Sequence, residues 1–211
     1  MNYIENIFVC LAAPLLITVI WTKGKTRRMM LFLIIGMLSC LLSSYISSFI
    51  AASWGVDNLV VKSLEFSPFV EEVVKLMPVL FYLMVFEPEP ADAADSALMM
   101  AVGFATFENV CFLVGNGAGS ILHLLIRGFG TATAHVVCAL FIAVGIYRLW
   151  DRKWLKAAGT LALLIVAITY HGVFNILVSQ SGIAALIGYM IPLFTVLFTG
   201  LFARHLFTQA E

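Results

Sequence analysis

The chain has 211 residues, of which 62% are hydrophobic and only 11% are charged. This composition excludes an ordinary soluble domain and indicates a polytopic, all-α membrane protein. Positive and negative side chains balance at 12 each, which argues against a nucleic-acid partner. The lipid bilayer is therefore the surrounding in which the chemistry of this chain takes place.

Seven apolar stretches are long enough to cross a bilayer, which takes about 20 residues in a helix. We predict a bundle of about seven membrane-spanning helices, forming one integral-membrane domain over residues 1–211. The first stretch has its positive charges after it and none before it, so we expect a retained membrane helix rather than a cleaved signal peptide. The stretches are 4–21, 29–52, 59 or 67 to 86, 95–115, 121–149, 154–179 and 183–207.

Basic residues concentrate in two connections, at 23–28 after the first stretch and at 148–156 after the fifth. The positive-inside rule places both connections in the cytoplasm. Seven spans then put the amino terminus outside and the carboxyl terminus in the cytoplasm. The acidic segment 87–95 falls on the cytoplasmic side as well, where we predict a solvated turn.

The four cysteines all lie within apolar stretches and show no C-x-x-C spacing. Neither a disulfide framework nor a zinc knuckle is indicated. We predict buried, unreactive thiols, because cysteine commonly behaves as a small apolar residue. These residues are Cys10, Cys40, Cys111 and Cys138.

The third stretch carries three charged residues, Glu71, Glu72 and Lys75. A charged side chain near the bilayer centre costs roughly 2.5 to 3.5 kcal/mol, so such residues are candidates for function. Ser67 and Pro68 are typical of an N-cap and a first turn, which places both glutamates near the start of a helix. Lys75 follows the glutamates by four and three residues and can pair with either carboxylate.

Further polar residues occur in the next three stretches. The fourth contains Glu108 and Asn109, and the sixth contains His171 and Asn175, which share one helix face because they are four residues apart. In the fifth stretch polar side chains recur every fourth residue, which predicts a stripe facing the bundle interior. The members of this stripe are His123, Arg127, Thr131 and His135.

The three carboxylates and two of the histidines offer ligands that suit a divalent metal ion, above all zinc with one open position. A glutamate that is not a ligand can then act as general base toward water. Two other classes of function fit the same residues. A transporter or proton relay also uses intramembrane Glu and His, although no paired hydropathy repeat is visible; the other class is a noncatalytic membrane scaffold.

Four motifs in spans three to six resemble those of the PrsW family of intramembrane proteases, which is related to the CAAX prenyl endopeptidases. They are E-E-x-x-K at 71–75, G-F-x-x-x-E-N at 103–109, the R…H segment at 127–135 and H-G-x-x-N at 171–175. The resemblance implies a protease core over about residues 67–179. It implies hydrolysis of a peptide bond near the extracytoplasmic face of a bacterial cytoplasmic membrane, in a single-span substrate such as an anti-sigma factor. The CAAX relatives usually have histidine where this chain has Glu108.

We assign Glu71 or Glu72 as the general base and expect the other glutamate to order the site through Lys75. Metal ligands are expected among Glu108, His135 and His171. In a metal-free glutamate mechanism the same three residues position water and protonate the leaving amine. Supporting roles fall to Asn109 and Asn175 as donors to the oxyanion, and to Arg127, which would orient a carboxylate or a substrate carbonyl.

Overall fold

The computed structural model describes residues 3–56, 66–117, 119–150 and 152–207. Within these ranges the chain forms seven long α-helices and no strands. The helices are α1 (Ile4–Trp21), α2 (Gly24–Ser53), α3 (Ser67–Phe86), α4 (Pro90–Asn116), α5 (Ile121–Leu149), α6 (Lys153–Val178) and α7 (Ile183–Phe207). The predicted all-α polytopic bundle is confirmed.

Six of the seven helices are long and apolar enough to cross a membrane, and α3 is the exception. Its 20 residues include Glu71, Glu72 and Lys75, and these charges lower its apolar character. The helix nevertheless packs inside the bundle against α2, α4 and α6. The alternative start of this span at residue 59 lies outside the described residues.

Helices α2, α4 and α5 form the centre of the bundle, while α1 packs on α2 and α7 packs on α5 and α6. The α2–α4 contact is the closest, because glycines face each other's backbone. A Cβ atom added at Gly36 would lie 2.1 Å from the Met100 carbonyl oxygen, and one added at Gly103 would lie 2.0 Å from that of Leu33. Small residues at such crossings let membrane helices approach through their backbones.

Helices α2 and α4 both begin about five residues earlier than predicted. Arg28 forms two hydrogen bonds to the Asp92 carboxylate, at 2.8 and 2.6 Å, and Lys25 lies 2.6 Å from Asp95. Residues 90–95 of the acidic segment are therefore the first part of α4, paired with the start of α2, and the predicted turn is limited to residues 87–89. Acidic residues there also suit the positive end of the α4 dipole.

Cysteine burial follows the prediction at two of the four positions. Cys40 and Cys138 are buried, Cys111 is partly buried and Cys10 is exposed. All four are free thiols. Cys10 differs because α1 is an outer helix, with most of its apolar surface away from the other helices.

Candidate functional site

The two adjacent glutamates of α3 face different surroundings. The helix begins at Ser67, with Phe66 rather than Ser67 as the N-cap residue and Pro68 in the first turn. Neighbouring residues on a helix point about 100° apart. The side chain of Glu72 is 4% exposed and turned into the bundle, whereas that of Glu71 is 17% exposed and borders a cavity.

Glu72 joins α3 to α6 and neutralises Lys75. Lys75 Nζ donates to Glu72 Oε1 at 2.6 Å, and His171 Nδ1 donates to the same oxygen at 2.7 Å. Because a carboxylate accepts the His171 Nδ1 hydrogen, the lone pair of a neutral ring is on Nε2. That nitrogen lies 3.6 Å from Glu71 Oε2. Glu72 thus orients His171 toward Glu71.

His135 is buried between a cation and a carboxylate. Lys75 Nζ lies 3.0 Å from His135 Nδ1, and an ammonium group can only donate. Nδ1 therefore accepts, and His135 Nε2 donates to Glu108 Oε2 at 2.5 Å. The rings of His135 and His171 meet edge to face, with centroids 4.9 Å apart. The polar stripe of α5 thus reaches both glutamate-bearing helices.

Arg127 and Asn109 support the outer side of Glu108. Arg127 NH2 lies 3.5 Å from Glu108 Oε1, and Arg127 also donates to the Asn109 side-chain oxygen. Asn109 Nδ2 donates to the Gly128 carbonyl at 3.2 Å, which ties α4 to α5. The Arg127 guanidinium stacks on the Phe112 ring at 3.6 Å. Asn109 is therefore engaged in holding Arg127, and the guanidinium lies beside a carboxylate.

Of the other polar residues predicted to face the bundle interior, some are buried and one is exposed. Asn175 lies one turn after His171 and is half-buried. Thr131 is buried as the stripe requires, but His123 is exposed and stands apart from the site. The interior stripe therefore begins at Arg127, since His123 lies on the exposed first turn of α5.

Three donors are close enough to hold one metal ion. One ligand atom from each of Glu71, His135 and His171 lies within 4.8 Å of the other two. Two imidazoles and one carboxylate are the donor set of one class of catalytic zinc sites, and the contact from Glu72 to His171 is the kind of supporting contact that orients a metal-binding histidine. The residues therefore fit a divalent metal, provided that one His135 ring nitrogen gives up its contact with Lys75 or Glu108, because both nitrogens are engaged in the structure. Glu71 takes the place that the sequence analysis gave to Glu108, which hydrogen-bonds His135 instead.

A cavity of about 510 Å³ leads to these groups from the end of the bundle where α2 ends and α3 begins. Glu71 and Glu108 both line it. At the α1 side Tyr45 donates to the Glu5 carboxylate, and both residues border the cavity. Its volume is within the range of ligand-binding sites. Carboxylates and a water molecule can thus meet in a space large enough for a peptide segment, with His171 Nε2 3.6 Å from the Glu71 carboxylate.

The α2 wall of this cavity was not predicted from the sequence. It is lined by hydroxyl groups, including those of Ser43 and Ser47. The available signal was the recurrence of Ser39, Ser43 and Ser47 at every fourth position, which places them on one face of a helix. Serine is common in membrane helices and carries no charge, so its spacing was less conspicuous than that of the glutamates.

Comparison with known proteins gives one family match. The family model described as PrsW family intramembrane metalloprotease matches residues 24–201, which includes α2 to α6 and most of α7. No curated protein and no solved structure matches the chain. The matched region contains all the glutamates, histidines and asparagines of the site described above except Glu5 at the α1 side of the cavity.

Proposed function

We propose a substrate, a cleavage position and a metal for this chain, which belongs to the PrsW family of intramembrane metalloproteases. Membership makes the chain a multi-pass membrane protein and a peptide hydrolase, which supports proteolysis over the transporter alternative. One observation carries the assignment of the site. Glu71 faces His171 and His135 at the inner end of a cavity, within the apolar bundle.

The proposed substrate is a single-span membrane protein, cut near the extracytoplasmic face of a bacterial cytoplasmic membrane. Positive-inside counting supports this position, because it puts the end of α2 and the start of α3 outside. Glu71 is only four residues into α3, about 6 Å along the helix axis. An anti-sigma factor is the proposed class of substrate, as the family resemblance implies, and its cleavage outside would be the first step of regulated proteolysis.

We propose that Glu71, His135 and His171 hold a zinc ion, and that His135 Nε2 would lose its proton and its hydrogen bond to Glu108 when the ion binds. When bound, the ion would polarise the scissile carbonyl group and the attacking water. The residues around it have positioning roles. Glu72 keeps the His171 Nδ1 hydrogen engaged, so that Nε2 faces the site. Lys75 balances the charge of Glu72 and fixes the other end of the His135 ring.

Glu108 is the proposed general base, since it borders the cavity and contacts His135, whereas Glu5, the third carboxylate of the lining, is bonded to Tyr45. A carboxylate there can accept a proton from water and return it to the leaving amine. Arg127 lies 3.5 Å from the Oε1 atom of Glu108 and helps to hold this carboxylate in place. Glu72 does not border this cavity and is already bonded to Lys75 and His171. The role of base therefore passes from the Glu71–Glu72 pair to Glu108 when Glu71 is a ligand.

A metal-free mechanism uses the same groups differently. Glu71 then takes the proton from water and passes it to His171 Nε2, 3.6 Å away, which delivers it to the leaving amine and returns to the neutral ring. The two mechanisms predict different metal contents for the same variants. The metal version is preferred here because the matching family is described as metalloproteases.

The function is tested with detergent-purified protein and synthetic single-span peptides that carry the membrane segments and outer flanks of anti-sigma factors. We expect wild-type protein to cut within the outer flank or the outer half of the membrane segment, and Glu71→Gln to release no fragments. Mass spectrometry of the fragments locates the bond. Cleavage at the cytoplasmic end, or equal cleavage by Glu71→Gln, would contradict the proposal.

A further inference from the structure

The buried face of α2 presents serine hydroxyl groups to the bundle interior. Ser39, Ser43 and Ser47 are 4%, 2% and 1% exposed. A serine inside a membrane helix usually satisfies its hydroxyl group on a carbonyl of its own helix. Ser43 Oγ does so with the Cys40 carbonyl at 2.9 Å, and the exposed Ser53 Oγ does so with the Phe49 carbonyl at 2.8 Å.

Ser47 is different. Its Oγ is buried and has no hydrogen-bond partner among the described residues. The residue borders the same cavity as Glu71 and Glu108. A buried hydroxyl group without a partner is unfavourable, so a retained one indicates a polar group that arrives from elsewhere.

Ser47 and Glu71 lie at similar depths in the bundle. Ser47 is six residues before the end of α2 and Glu71 is four residues after the start of α3, which is about 9 and 6 Å along the respective helix axes. The two helices are neighbours, and the residues that flank these ends, Trp54 and Phe66, have ring centroids 5.6 Å apart, so the two ends lie at the same side of the bundle. A segment bound along α2 therefore passes in front of the catalytic group.

A substrate for hydrolysis inside a membrane brings a specific kind of polar group. Its peptide bond is inaccessible while the segment is helical, and on unwinding the N–H and C=O groups lose their partners in surroundings that hold little water. A serine hydroxyl can both donate to a carbonyl and accept from an amide. The cavity volume of about 510 Å³ accommodates a short unwound segment.

We propose that Ser47 is a substrate-binding residue whose hydroxyl group hydrogen-bonds the unwound backbone of the substrate next to the bond that is cut. This inference rests on the proposed proteolytic function. Ser47 recognises main chain, so the contact is independent of the side chain at that position of the substrate. The contact contributes to binding of the substrate and does not take part in proton transfer.

Steady-state kinetics with one cleaved single-span peptide give the first test. Ser47→Ala should raise KM about threefold to tenfold, the size expected for one backbone hydrogen bond, with kcat changed less than twofold. Ser47→Thr retains a hydroxyl group and should restore KM. Ser53→Ala is the matched control, because Ser53 lies on the same helix, is exposed and bonds only within α2.

A backbone-ester scan of the peptide gives the second test, using binding to the inert Glu71→Gln protein. An ester removes the amide N–H and weakens the carbonyl as an acceptor. At one or two positions near the cut bond the ester should weaken binding about threefold to tenfold, and this loss should disappear when Ser47→Ala is added.

The outcomes separate the two proposals. Normal cleavage with an unchanged KM in Ser47→Ala, or an ester effect of equal size with and without Ser47, overturns this inference and leaves the proteolytic function standing. A wild-type protein that cuts none of the single-span peptides overturns the proposed function together with this inference. A raised KM that Ser47→Thr does not restore assigns Ser47 a packing role and overturns the inference as well.

Discussion

Glu71 and Glu72 are adjacent in the chain, yet they have different partners in the folded bundle. The sequence identified both as costly carboxylates, but it could not divide their roles. Their partners come from distant parts of the chain: His171 is 99 residues from Glu72, and His135 is 60 residues from Lys75. Helical spacing gives the face on which a residue lies, whereas the identity of the opposing side chain depends on how the helices pack.

Both glutamates should be needed for activity, but only one for stability. We expect Glu71→Gln and Glu72→Gln each to lower cleavage by at least about 100-fold. Glu72→Gln also leaves Lys75 buried without its counter-charge, which should cost about 3 to 5 kcal/mol of stability. Thermal unfolding in detergent, measured beside peptide cleavage, gives both quantities.

The control for this prediction removes the remaining charge as well. In Glu72→Gln combined with Lys75→Met, stability should recover while activity stays low. Near-normal cleavage by both single variants at equal expression would contradict the catalytic assignment. An equal loss of stability in Glu71→Gln would contradict the separate roles of the two glutamates.

Metal content distinguishes the ligand set predicted from the sequence from the one that the geometry favours. Purified wild-type protein should contain about one equivalent of a divalent metal per chain. Glu71→Ala and His171→Ala should lose it, because both residues supply ligands, while Glu108→Gln should retain metal and lose cleavage. Elemental analysis after gel filtration gives the content.

Chelation completes the metal test. A strong chelator should abolish cleavage by the wild-type protein, and added zinc should restore it. Metal loss in Glu108→Gln with retention in Glu71→Ala would favour the ligand set Glu108, His135 and His171. Full activity of metal-free protein would instead support the mechanism in which Glu71 is the base.

At the scale of single helices, sequence patterns predicted the bounds of α1, α5 and α7 as the structure has them. The starts of α2 and α4 were missed for one reason. Hydropathy marks the end of a span where charges appear, but Arg28 and Asp92 pair with each other and let both helices continue. Two opposite charges can lie inside the ends of separate apolar helices when those helices are neighbours and the charges pair. The sequence does not show which helices are neighbours.

The glycine crossing of α2 and α4 should tolerate no side chain. Gly36→Ala or Gly103→Ala brings a methyl group against a backbone carbonyl, which cannot rotate away. We expect each to destabilise the protein by about 1 to 3 kcal/mol, as for other overpacked interiors. Gly115→Ala is the control on α4, since nothing lies within 4 Å of its added Cβ.

Thermal unfolding of the three variants in the same detergent checks this prediction. Gly115→Ala should be neutral or slightly stabilising, because alanine is the better helix former. If Gly103→Ala were as stable as Gly115→Ala, the close backbone contact between α2 and α4 would be refuted. Gly103 also begins the G-F-x-x-x-E-N motif, so its role there is packing.

For the whole molecule, composition and hydropathy predicted the fold class and the number of helices. Neither property shows which helices pack against each other, so the cavity and its α2 wall could not be predicted. Four of the five predicted catalytic groups, Glu72, Glu108, His135 and His171, are linked by hydrogen bonds directly or through Lys75, and Glu71 adjoins His171. Charge inside an apolar segment is a strong signal, whereas uncharged hydroxyl groups and helix neighbours are weak ones.

The orientation in the membrane is testable with single cysteines at the two ends of the bundle. Thr26 lies near the start of α2, and Asn116 ends α4, about 36 Å along that helix from Asp92. Positive-inside counting predicts that an impermeant thiol reagent labels Asn116→Cys in intact cells and does not label Thr26→Cys. Both should react after permeabilisation.

Unsubstituted protein is the background for this experiment, because it retains four free cysteines. Labelling of Thr26→Cys alone in intact cells would invert the topology. The cavity would then open toward the cytoplasm, and cleavage on the extracytoplasmic side would be ruled out.

The backbone contact at Gly36 and Gly103 has a consequence for genetic mapping of this chain. In a saturation-mutagenesis library scored by growth or reporter output, almost every substitution at these glycines should be depleted as strongly as substitutions at Glu71 or His171. Depletion alone would therefore assign Gly36 and Gly103 to the active site, although neither borders the cavity. Measuring the cellular abundance of each variant separates the two groups. Variants at Glu71 or His171 should accumulate normally, whereas variants at Gly36 or Gly103 should be degraded.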